Sequence, residues 1–351
     1  MENKREKKRI RDYGIAIGSL PTGKWNKISD VPGVTVGHCT IESETHQTGV
    51  TVVMPEKKNP YLYKLPAASF VLNGFGKTQG LVQIDELGSL ETPIALTNTL
   101  NVGLVHDAMV EYMLGECKRD GVPLYSINPV VCECNDSSLN KIEERAVRKE
   151  HVFRAIEEAC EDFEEGSVGA GRGTSCYGLK GGIGSSSRQV ELDGKTYTVG
   201  VLVQSNHGKT ANMMIQGRML GKEILESPIE PSVTDRGSII MIIATDLPVS
   251  DRQLRRMIKR ASVGLIRTGS FLGHGSGDIM VGFSTAYTLA TKADPAVQPI
   301  SILNENVIEI CFDAVAQATE EAILNSMICA DPVKGYRGEK RSLSEWMKQQ
   351  S

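Results

Sequence analysis

Asn206, Ser238, Ser276 and Asp278 are polar residues placed where apolar runs begin or end. Ser238 opens the run Ile239-Ile-Met-Ile-Ile-Ala244, which is short and β-branched and predicts a strand buried on both faces. A core behind such a strand would hold the serine rigidly. Gly237 carries no side chain to shield the Gly237–Ser238 carbonyl. The lead-in (Glu226, Pro228, Glu230, Pro231) is acidic and proline-spaced, as surface loops are. A flexible approach, an open peptide bond and a fixed hydroxyl suit a bond that cuts itself and leaves Ser238 as a new N-terminus. The same stretch also reads as an ordinary core strand after a loop.

Asn206 ends the run Val199 to Gln204, where its amide could donate to a developing oxyanion or simply make a turn. Ser276 lies in the glycine-rich stretch Gly269-Ser-Phe-Leu-Gly-His-Gly-Ser-Gly277, and Asp278 follows it. At a spacing of two they share one side of an extended segment. His207 and His274 are alternative bases that spacing alone leaves open. Gly76-Lys77-Thr78 and Gly208-Lys209-Thr210 imitate a phosphate loop, but Val71 and Val203 stand where that motif needs its first glycine. Cys132-Glu-Cys134 has the wrong spacing for common zinc sites and no second pair at a suitable distance, so no metal is expected.

These residues need strands and helices to position them. Gly33–Gly37, Thr48–Val53, Ala67–Leu72, Thr92–Asn98 and Pro129–Cys132 read as strands, and His106–Cys117 as a helix. Residues 151–163 read as an amphipathic helix with Val152, Phe153, Ile156, Ala159, Cys160 and Phe163 on one face. Ser250 and Gln253 form a capping box for a basic helix whose arginines read as a solvated face. A last helix spans about Val307 to Cys329. Residues 1–12 read as a mobile basic arm. Elements alternate irregularly without repeats or linkers, which predicts one layered α/β (α+β) domain over residues 1–351.

Composition agrees with a globular chain: 351 residues, 40% hydrophobic and 23% charged. Its 35 glycines exceed the usual ~7% share and imply many close backbone approaches. A net charge of −4 without a basic bias argues against nucleic acid as a partner. No apolar run reaches the ~20 residues of a membrane span, and no apolar segment follows the charged N-terminus as in a secretory signal. Eight scattered cysteines in a chain this long suggest small core hydrophobes in a reducing cytoplasm.

In order and number, several stretches resemble the L-aminopeptidase D-Ala-esterase/amidase (DmpA) and β-peptidyl aminopeptidase family. They are Arg11-Asp-Tyr-Gly-Ile15, Ile28-Ser-Asp-Val-Pro-Gly-Val-Thr-Val-Gly-His38, Thr48-Gly-Val-Thr51, Asn73-Gly-Phe-Gly76, Pro93-Ile-Ala-Leu-Thr-Asn-Thr99, Gly178-Leu-Lys-Gly-Gly-Ile-Gly184, Val203-Gln-Ser-Asn-His-Gly208, Gly237-Ser-Ile-Ile240, Ala244-Thr-Asp246 and Gly275-Ser-Gly-Asp278. The resemblance runs from about Arg11 to Cys329. It implies a four-layer α-β-β-α sandwich, cleavage between Gly237 and Ser238 into fragments 1–237 and 238–351, and oligomers of the paired fragments, commonly tetramers. It also implies Ser238 as nucleophile, Ser276 and Asp278 as the supporting serine and carboxylate, and Asn206 as the oxyanion donor. Asn135 stands in a segment where relatives often carry an aromatic residue, which bears on substrate range.

The implied activity is a serine aminopeptidase or amidase that releases N-terminal residues from small peptides, amides or esters without metal or organic cofactor. A new α-amine, whose ordinary pKa is ~7.7–8.0, would serve as base for its own hydroxyl. Asp136 is a weak candidate, beside Asn135, for binding the substrate's amine. An acyltransferase on the same fold and a non-catalytic relative are the alternatives.

Overall fold

The computed structural model describes residues 7–226, 231–233, 237–292 and 295–350. The β-branched segments become strands β1 (Thr35–Glu42), β2 (Gln47–Met54), β3 (Tyr63–Gly74) and β4 (Ile94–Asn98). Helix α1 (Val102–Arg119), β5 (Val130–Cys134) and α2 (Lys149–Glu157) follow. The chain continues through β6 (Gly182–Leu192), β7 (Lys195–Asn206), β8 (Ser238–Thr245), α3 (Asp251–Ile258) and α4 (Ala261–Arg267). It ends its core with β9 (Gly277–Ser284) and α5 (Glu309–Ile328).

Among the described residues the strands form two principal sheets. The smaller has the order β1-β2-β4-β5. The larger runs β3-β9-β8-β7-β6, with two-residue strands at Ser89–Leu90 and Leu289–Ala290 added along β3. β8 pairs antiparallel with β7 and parallel with β9, so it is the middle of the large sheet.

Side-chain alternation along β8 explains the layering. Ile240, Ile242 and Ala244 point into a core shared with Val53, Ile94, Leu96, Val130 and Cys132 of the small sheet. Ile239, Met241 and Ile243 point the other way, against Leu254, Met257, Leu265, Val315 and Ile323 of α3, α4 and α5. A third core places α1 and α2 on the outer face of the small sheet, through Val105, Met109, Val152 and Ala155 against Val50, Val52 and Ala95. The result is helix, sheet, sheet, helix. Each large apolar side chain buried on either face adds about 1.5–3 kcal/mol of hydrophobic stabilisation, which is why both faces of β8 are apolar from Ile239 to Ala244.

Three expectations need correction. The N-terminal arm is not mobile over residues 7–12: Ile10 is buried, and Arg9 and Arg11 pair with Glu165 and Glu321 at 2.8 Å. Residues 1–6 lie outside the described residues, as do Pro228, Glu230 and Thr234–Arg236 of the lead-in to Ser238. The amphipathic helix stops at Glu157, and Cys160 instead exchanges backbone hydrogen bonds with Val36 at 3.0 and 3.1 Å. Gly37 permits that close approach, since a Cβ there would lie 1.8 Å from the Ala155 carbonyl oxygen. The capping box at Ser250 and Gln253 is present, but the basic helix is not simply solvated. Arg252 and Arg256 hold Glu305, and Arg260 stacks 3.9 Å over the Phe312 ring.

Candidate active site

The large sheet brings three strand ends to one place. Asn206 is the last residue of β7, and its register partner is Ser238, the first of β8. Ser238 is in turn the register partner of Gly277, the first of β9. Ser238 shares the side of β8 that carries Ile240 and Ile242, so its hydroxyl faces the gap between the sheets.

The Gly277 N–H lies 3.3 Å from Ser238 Oγ and 3.3 Å from the Gly237 carbonyl oxygen. One donor therefore addresses both the hydroxyl and the carbonyl of the peptide bond beside it. Gly237 is glycine for a stronger reason than openness: a Cβ there would fall 1.6 Å from the Asn206 carbonyl oxygen. Gly277 is also closely pressed, its Cβ position lying 2.7 Å from the Phe75 carbonyl oxygen.

Asn206 is buried, and its Oδ1 accepts the Ser175 N–H at 2.9 Å. A backbone N–H can only meet the amide oxygen, so this bond fixes the flip of the side chain. The NH2 end is left for the cavity that Asn206 lines. This cavity, of ≈ 230 Å³, also has Asn135, Ser137, Ser175, His207 and Gly237 in its walls.

Ser276 Oγ donates to Asp278 Oδ1 at 2.7 Å, and both residues are buried. With its proton committed to the carboxylate, the Ser276 oxygen is presented as an acceptor. The loop before it is held by Asn73 Nδ2 on the Gly273 carbonyl (2.7 Å) and by the Phe75 N–H on the Ser276 carbonyl (3.3 Å).

The remaining candidates are placed differently. Asn135 lines the cavity, but its Oδ1 is turned back onto Ser137, 3.0 Å from the N–H and 2.6 Å from Oγ. Asp136 is completely buried with Oδ1 accepting from Asn140 Nδ2 at 3.0 Å, and it does not line the cavity. Burial pushes its carboxyl up to about 6. His207 packs edge-on against Tyr177 with Cys176 Sγ 3.8 Å from Nδ1, and His274 is exposed in its loop. Cys132 and Cys134 sit in the core between the sheets, where burial pushes the Cys132 thiol up to about 12 and the Cys134 thiol well above its ordinary range.

Sequence reasoning passed over Glu133. It is buried near the end of β5, takes the Lys77 N–H at 3.1 Å and is hydrogen-bonded by the Thr99 hydroxyl. Gly76 links it to the site. Gly76 Cα is 3.2 Å from a Cβ built on Gly277, and Glu133 Oε1 is 3.9 Å from one built on Gly76. The signal was available: a lone carboxylate in the run Val130-Val-Cys-Glu-Cys134 is costly to bury without a purpose. Ser175, which fixes Asn206, had no such local signal.

The family model of peptidase family S58 matches residues 26–341. The chain belongs to peptidase family S58. Within it, the chain is 37% identical over 355 residues to the β-peptidyl aminopeptidase BapA of Sphingosinicella xenopeptidilytica, covering 95% of this chain and 87% of that protein. Among solved structures it is similar to the PH0078 protein of Pyrococcus horikoshii OT3, with 46% identity, a TM-score of 0.92 and 98% of each chain covered. It is also similar to the L-aminopeptidase D-Ala-esterase/amidase of Ochrobactrum anthropi, a serine aminopeptidase described as a variant of the Ntn-hydrolase fold. That pair shares 32% identity and a TM-score of 0.89 over 95% of each chain. The layered fold expected from the family resemblance is thus the fold of this S58 chain.

Proposed function

We propose that this protein is a serine aminopeptidase that processes itself, with Ser238 as nucleophile. The observation that carries the reading is the convergence on Ser238. The Gly277 N–H is shared between its Oγ and the Gly237 carbonyl, with Asn206 directly opposite.

In self-cleavage, Ser238 Oγ attacks the Gly237 carbonyl carbon. The hydroxyl proton passes to the departing nitrogen as the C–N bond breaks and an ester forms. Water then cleaves the ester, giving fragments 1–237 and 238–351 with a free amine on Ser238. That amine, with an ordinary pKa of ~7.7–8.0, is partly unprotonated near neutrality and serves as the base for its own hydroxyl. The Ser276 oxygen, held by Asp278, accepts an N–H of the amine and turns its lone pair toward Oγ. In turnover the Gly277 N–H and the Asn206 amide donate to the substrate oxyanion, each donor typically contributing ~10²–10³ in rate. Chemistry of this kind runs on the chain's own groups and calls for no metal or organic cofactor.

An aminopeptidase must also read the substrate's ammonium. We assign this to Glu133, whose Oε1 lies 3.9 Å from a Cβ built on Gly76, the glycine that packs against Gly277, whereas Asp136 is turned into the core. The substrates are small peptides, amides or esters with a free amine; the relatives' names point to β-amino acids as well as L- and D-residues. We further propose a tetramer of cleaved pairs in a reducing cytoplasm, in keeping with eight free cysteines. Among the described residues no helix is long and apolar enough to cross a membrane. Nothing in the site favours the acyltransferase or the non-catalytic reading.

Intact-mass analysis with a panel of L-, D- and β-aminoacyl p-nitroanilides tests the proposal. Two fragments and turnover are expected, and both should vanish in Ser238→Ala. An uncut chain that still hydrolyses the panel, or an active Ser238→Ala, would defeat it.

A further inference from the structure

Lys180 is completely buried, yet its partners are backbone carbonyls rather than a carboxylate. Its Nζ donates to the oxygens of Gly171 at 2.8 Å, Thr174 at 2.7 Å and Gly181 at 2.8 Å. Burial pushes the pKa of this ammonium well below the ordinary lysine range, and three acceptors for its three N–H groups hold the proton in place against that push. Placing a cation so deep is costly, and holding a turn in place could be done by neutral groups.

The Thr174 carbonyl is the clue to a purpose. It belongs to the same peptide unit as the Ser175 N–H, and that N–H holds Asn206 Oδ1 at 2.9 Å. The path therefore runs from Lys180 Nζ through one planar peptide to the Asn206 amide. A cation on the carbonyl end polarises the peptide and makes its N–H a stronger donor. A stronger bond at Oδ1 in turn fixes the amide rotamer and makes the NH2 end a better donor toward the cavity. Gly181 adds a second brace, since a Cβ there would lie 2.4 Å from the carbonyl oxygen of Ser205, the residue before Asn206.

We propose that Lys180 is a positioning residue of the oxyanion site, acting through the Thr174–Ser175 peptide on Asn206. The proposal rests on the reading of Asn206 as an oxyanion donor. Lys180 touches no substrate; it sets the direction and strength of the group that does.

A double-mutant cycle tests it, with kcat normalised to the cleaved fraction found by intact mass. Lys180→Met is expected to lower kcat ~10–100-fold, with KM changed less than ~3-fold, as befits loss of part of one oxyanion donor. In an Asn206→Ala background the same change should cost less than ~3-fold, because its target is gone. Equal losses in both backgrounds, or a loss in KM alone, would overturn the role of Lys180 while leaving Asn206 as donor. An Asn206→Ala enzyme with unchanged kcat would overturn the reading of Asn206 and this inference with it. Should Lys180→Met fail to fold, the unsubstituted enzyme decides, by NMR of its lysine ammonium groups with and without a peptide boronic acid as oxyanion mimic. The buried, slowly exchanging ammonium signal of Lys180 is expected to shift on binding; an unmoved signal with the boronate bound overturns the proposal.

Discussion

The backbone N–H of Gly277 sits 3.3 Å from the hydroxyl oxygen of Ser238, its register partner in the parallel pair at the centre of the large sheet. The sheet itself therefore orients the hydroxyl, and the same N–H reaches the Gly237 carbonyl at 3.3 Å.

Gly237→Ala should block processing. The added methyl would fall 1.6 Å from the Asn206 carbonyl oxygen, and backbone cannot yield as a flexible side chain can. The start of β8 must shift, at a cost of about 1–3 kcal/mol or more. Intact mass should show one uncut chain, and thermal unfolding a lowered midpoint.

Asp278→Asn separates the carboxylate from its hydrogen bond. The asparagine can still accept from Ser276, now bonded at 2.7 Å, but the negative charge is lost. A nearby carboxylate favours the protonated amine and raises its pKa, so removing the charge lowers it. The acid limb of the kcat/KM profile should move to lower pH, and kcat should fall ~10²-fold as proton handling is impaired. An unmoved limb would show that Asp278 does not sense the amine.

Glu133→Gln tests ammonium recognition. KM should rise roughly 10–100-fold, the usual worth of a hydrogen bond to a charged group, with a smaller change in kcat. Substrates lacking the α- or β-amine should be hydrolysed as poorly by the unsubstituted enzyme. Equal KM values for the two enzymes would remove Glu133 from the binding site.

Asp136 gives a pH signature in stability. Burial raises its folded-state pKa from 3.8 to about 6, so the folded chain holds this proton more tightly than the unfolded one. Its contribution to stability is full below about pH 3.8 and is lost as pH rises through about 6, a penalty of up to about 3 kcal/mol at neutral pH. Urea unfolding from about pH 7 down to pH 4 should show this gain in the parent, and Asp136→Asn should lack it.

Much of this protein is written locally. The β-branched run after Ser238, the capping box at Ser250 and Gln253, and the apolar spacing of α1 each depend on neighbours a few residues apart, so periodicity finds them. The ordered motifs from Arg11 to Asp278 carry the family, and with it the candidates Ser238, Ser276, Asp278 and Asn206. Local pattern misplaced the end of α2, because Cys160 leaves the helix for a backbone bridge to Val36 in a distant strand. It also read residues 1–12 as a mobile arm, although the carboxylate partners of Arg9 and Arg11 lie far along the chain.

What the sequence determined by itself was a serine at the head of a buried strand and the family to which the chain belongs. Tertiary structure alone decided that Gly237 cannot carry a side chain, that Glu133 and not Asp136 approaches Gly76 beside Gly277, and that Ser175 and Lys180 stand behind Asn206. Each of these depends on which strand ends lie side by side. That order is set when two sheets and two helix layers bury their faces together, and no short-range propensity encodes it.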